Sequence, residues 1–84
     1  MAEYTISRLE ELGYRGYVRK QDGSVEESRF AMTVVVILAN WNRYHLEYGI
    51  KDNRRIIRVR QGLYTETYPE IWVEKELNND KDRD

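Results

Sequence analysis

The sequence predicts an α+β, β-rich fold: a short N-terminal helix followed by an antiparallel meander of about five strands, closed as a small sheet or a partly open barrel. Three observations carry this. Residues 43–50 and 54–61 alternate apolar and polar side chains with period two, as half-buried strands do. Asp22-Gly23 is a tight-turn pair between two extended segments. Ser7 and Glu10 fit a capping box, and Gly13 stands where a helix end favours a left-handed residue.

In chain order, Thr5 to Leu12 is the helix, capped by Thr5 or Ser7, with Ile6, Leu9 and Leu12 as a narrow apolar stripe. Tyr14 to Lys20 reads as a strand, and residues 21–24 as a turn. Residues 25–41 fork. Ser24 and Glu27 make a second capping box, and Phe30, Val34, Ile37, Leu38 and Trp41 would share one helical face. Against this, Thr33 to Ile37 is a run of β-branched residues, which are stiff in helices and suited to strands. The run weighs toward a strand, with a second helix at 25–41 as the alternative.

In Arg43 to Ile50, Tyr44, Leu46, Tyr48 and Ile50 share the core side, and Lys51-Asp52-Asn53 turns the chain into Arg54 to Gln61. Leu63 to Tyr68 is a further strand that Pro69 ends, and Ile71 to Leu77 is the last, with Trp72, Glu74 and Glu76 on its polar face. Residues 1–77 thus form one globular domain. Residues 78–84, NNDKDRD, have no apolar side chain to bury and read as a disordered acidic tail.

Eighty-four residues suffice for one modest core. The formal net charge of −1 excludes a protein that binds nucleic acid by bulk charge. The longest apolar run, Phe30 to Ala39, is too short to cross a bilayer, and the N-terminus lacks a basic start before an apolar block. With no cysteine, a cytoplasmic location is the default, and no thiolate metal site or disulfide framework exists.

The chemistry is sparse. His45 is the single histidine, flanked on its strand face by Arg43 and Glu47, and reads as a surface residue salt-bridged to Glu47. No nucleophile motif, phosphate loop or metal-ligand spacing is present, so the chain is expected to be no enzyme and to hold no metal or cofactor. Gly13-Tyr14-Arg15-Gly16 matches a bare nucleic-acid G-x-x-G, but a helix stop and a strand kink account for its glycines.

Split by position, the charge is −1 over residues 1–30, +4 over 31–60 and −4 over 61–84. The basic hairpin 43–60 carries Tyr44 and Tyr48, a pattern that could bind nucleic acid. Arg58 and Arg60 could equally cancel against Glu74 and Glu76 on a neighbouring strand. Ten aromatic residues, seven of them tyrosine, exceed what one small core can hide. Tyr, Trp and Arg dominate interface hot spots. The expected function is therefore protein binding, as a stoichiometric inhibitor or adaptor of the kind viruses and mobile elements carry, or as a homodimer. Its expected surface is Arg54, Arg58, Arg60, Tyr64, Tyr68 and Trp72, with nucleic-acid binding through the hairpin as the alternative.

Overall fold

Thr5, not Ser7, starts the first helix: its hydroxyl accepts the Arg8 amide, and α1 runs Ile6–Glu11. The computed structural model describes residues 4–62 and 67–77. After α1 come β1 (Arg15–Arg19), β2 (Val25–Glu27), α2 (Arg29–Trp41), a 3₁₀ turn at Arg43–His45, β3 (Leu46–Lys51), β4 (Arg54–Val59) and β5 (Glu70–Glu76). The expected strand at 63–68 falls mostly outside the described residues, as do Tyr64 and the 78–84 tail.

All strand pairs are antiparallel, in the order β2-β1-β5-β4-β3. Two short meanders, β1-β2 and β3-β4-β5, are joined by the pairing of β5 with β1, so the last strand is the central one. The sheet is open, and both helices cover one face.

The 25–41 fork resolves into both forms. Val25–Glu27 is a three-residue edge strand, and Arg29–Trp41 is a helix, where the β-branched run had weighed toward a strand. The helix is capped by Ser28, whose hydroxyl accepts the Phe30 amide at 3.1 Å, not by the Ser24 box. Tertiary burial overrides the local preference. Ala31, Met32, Val34, Val35 and Leu38 turn one helical stripe onto Val18, Leu46, Ile57, Val59, Ile71 and Val73 of the sheet. The buried stripe is rotated from the expected one, and Phe30, Ile37 and Trp41 are left exposed.

Gly16 makes this contact close. A Cβ there would meet the Ser28 carbonyl oxygen at 2.5 Å and Met32 Cγ at 2.9 Å. Glycine at this position lets the start of α2 lie on β1, a closer role than the strand kink expected for it.

Candidate protein-binding edge

The expected binding residues do not form one patch. Arg54, Arg58 and Trp72 share the sheet face opposite the helices, around a shallow cleft of about 300 Å³ floored by Ile56 and Trp72. Tyr17 stacks on Trp72 at 5.8 Å, and Trp72 Nε1 donates to Glu74 at 2.9 Å. Tyr68 instead packs half-buried against the core and the Phe30 ring. Tyr64 lies outside the described residues.

The arginine stripe is held within the molecule, but by different partners from those suggested by the sequence. Register sets Arg58 opposite Trp72 on β5 and opposite Glu47 on β3. Arg58 donates to Glu47 Oε1 at 3.2 and 2.9 Å, and Arg60 donates to Glu47 Oε2 at 3.1 Å. Of Arg54, Arg58 and Arg60, Arg54 alone pairs with the C-terminal strand, with Glu74 at 3.3 Å and Glu76 at 3.9 Å. Arg15–Glu27 and Arg19–Glu70 extend the pattern across β1. The face is therefore a lattice of opposite charges around an aromatic centre, poorly suited to attracting a polyanion.

His45 does not pair with Glu47, whose oxygens the two arginines occupy. Its ring stacks on Trp41 at 4.9 Å and meets Tyr44 edge-on at 5.9 Å. Arg60 lies over the Tyr44 ring at 4.7 Å and donates to the Tyr44 carbonyl at 2.8 Å. Among the described residues, no three His, Asp or Glu side chains gather to hold a metal ion. A cleft of about 670 Å³ between Tyr14, Gly16 and Met32 is rimmed by charges already paired as Arg15–Glu27 and Arg29–Glu10.

The most exposed large apolar side chains lie elsewhere. Ile37, Trp41, Tyr44, Tyr48 and Ile50 are each more than half exposed, and they come from the end of α2, the 3₁₀ turn and β3. Ile37 and Trp41 are one turn apart on α2, Trp41 stacks on His45 of the 3₁₀ turn, and the outermost strand follows that turn in the chain. Tyr44, Tyr48 and Ile50 do not join the core as alternation implied. Tyr44 belongs to the 3₁₀ turn, while Tyr48 and Ile50 lie on the helix side of β3 and stay exposed.

Two cations sit over tyrosine rings without a described carboxylate partner. Arg43 covers the Tyr4 ring at 4.9 Å, Lys75 faces the Tyr14 ring at 5.5 Å, and neither makes an ion pair with a described residue. Partial burial pushes the Tyr48 hydroxyl pKa up, helped by Tyr4 and opposed by Arg43.

An open strand edge beside large exposed rings can accept a further strand and bury its side chains. The sequence carried every residue of this strip. That β3 would be outermost was not visible in it.

In comparisons with known families, curated proteins and solved structures, the chain matches none of them.

Proposed function

We propose that the chain is a non-enzymatic protein-binding module that works through the β3 edge and the aromatic strip beside it. One observation carries the reading: Tyr48 and Ile50 stand more than half exposed on β3, the sheet edge left open among the described residues, and Ile37, Trp41 and Tyr44 are exposed on the end of α2 and the 3₁₀ turn that lead into it. Such a patch next to unpaired strand groups is costly to leave in water and marks an interaction surface. A role as a stoichiometric inhibitor or adaptor, of the kind viruses and mobile elements carry, suits a small domain with such an edge. A cytoplasmic location belongs to the same proposal. No helix of the described residues is long and apolar enough to cross a membrane.

Nucleic-acid binding through hairpin 43–60 is the weaker reading, because Arg54, Arg58 and Arg60 are each engaged by a glutamate. Affinity capture compares the wild type with Trp41→Ala/Tyr48→Ala and with Arg58→Ala, alongside titration of single-stranded DNA and RNA at two salt concentrations. The expected result is a protein partner lost with the edge variant and kept by Arg58→Ala. A partner indifferent to the edge variant overturns the reading. So does salt-sensitive nucleic-acid binding lost on Arg58→Ala.

A further inference from the structure

We infer that β3 pairs with β3 of a second copy of this chain, antiparallel about a two-fold axis at Gly49, to make one continuous ten-stranded sheet. The inference rests on the reading of β3 as the binding edge and names its occupant.

The first argument is which backbone groups are free. Asp52 and Asn53 both have positive φ, 54° and 63°, the mark of a two-residue type I′ hairpin. Lys51 and Arg54 flank that turn and exchange the first hydrogen-bonded pair of the ladder. By alternation, Glu47, Gly49 and Lys51 spend their amides and carbonyls on β4. Those of Tyr48 and Ile50 point away from it. The ends of the strand agree: Arg60 N–H donates to the His45 carbonyl, in phase with Glu47, while Leu46 N–H turns away to the Arg43 carbonyl.

The second argument is register. A symmetric pairing through the outward groups can centre on Tyr48, Gly49 or Ile50. Centred on Tyr48, it sets Lys51 opposite His45 of the second copy. Centred on Ile50, it sets Lys51 opposite Gly49. Only the Gly49 centre sets opposite charges face to face, placing Glu47 of each copy opposite Lys51 of the other. Lys51 makes no ion pair with a described residue, and Glu47, which already accepts two bonds from Arg58 at Oε1 and one from Arg60 at Oε2, keeps an acceptor site at Oε2 for it.

The same register sets Tyr48 opposite Ile50 of the second copy, twice, on the helix side. Aromatic–β-branched pairs of this kind are favourable across strands. These two side chains are 52% and 64% exposed in the single chain, and the pairing covers both. Tyr48 and Ile50 of the two copies exchange four hydrogen bonds. At the axis the two Gly49 residues meet as a closely spaced non-hydrogen-bonded pair. The Asp52 turn of each copy then lies beside Arg43–His45 of the other.

The opposite edge makes the pairing stop at two. β2 has three residues, of which Glu26 and Glu27 are charged, so it offers little template for further addition.

The test combines mass with amide exchange. Light scattering over a concentration series is expected to rise from 10.2 kDa toward twice that mass. The Tyr48 and Ile50 amides should gain protection as the mass doubles. Ile50→Lys breaks the apolar pair and Lys51→Glu sets like charges opposite Glu47, so each is expected to raise the dissociation constant at least tenfold while far-UV circular dichroism stays unchanged. A chain that stays monomeric overturns the inference, as does a dimer whose Tyr48 and Ile50 amides exchange freely. If the chain is monomeric yet Trp41→Ala/Tyr48→Ala loses a different protein, the inference fails and the binding-edge reading stands. If neither mass nor capture responds, both fail.

Discussion

Gly16 is the residue on which the two layers meet. Its missing side chain leaves room for the Ser28 carbonyl and Met32, and adding one methyl forces α2 off β1. Gly16→Ala is expected to cost about 1–3 kcal/mol, read by chemical denaturation. Its backbone φ is not in the left-handed region, so the loss comes from the close approach alone. This role was hidden in the sequence, where Gly16 looked like a kink, because the neighbour it admits stands twelve residues later. Glu47 was hidden for a similar reason. Its nearest ionic neighbour in sequence is His45, but strand pairing delivers Arg58 and Arg60 to its two oxygens. Gly23, with φ of 91°, and Thr5 do what their types imply at their positions.

At the scale of elements, α2 is the instructive case. Its β-branched run argues for a strand, and its apolar spacing allows a helix. Burial of Ala31, Val34, Val35 and Leu38 against the sheet decides between them. A helix held by its packed face still needs its first amides satisfied, and Ser28 does this. Ser28→Ala is expected to lower stability by about 1 kcal/mol, measured by denaturant unfolding, with helix content retained below the transition. Ser24→Ala, at the capping box read from sequence, should leave helix α2 intact, since Ser24 belongs to the Asp22 turn. The hairpin β3-β4 was legible because alternation and a two-residue turn are local properties. The boundary at Arg43–His45 was not: Asn42 caps a 3₁₀ turn there and shifts the strand start to Leu46.

For the molecule as a whole, the tyrosines report the fold. Burial raises the hydroxyl pKa of Tyr14, Tyr17 and Tyr48 above the ordinary value near 10. A raised folded pKa means stability that is full below the unfolded value and is lost as pH rises through the folded one. Absorbance at about 295 nm should therefore show tyrosines ionising late, above pH ~10, together with loss of the circular dichroism signal. Early ionisation of all seven with the fold intact would refute the burial of these three. By itself, the sequence determined the net charge of −1, and also the class of fold, the β3-β4 hairpin and the outward face of β5, because these three follow from neighbours a few residues apart. Only the tertiary structure decided that β5 would lie between β1 and β4, that α2 would be a helix, and that Tyr48 and Ile50 would stand on an open edge. Those outcomes depend on which faces bury against each other over the whole chain, and period-two alternation cannot say whether a core side is covered.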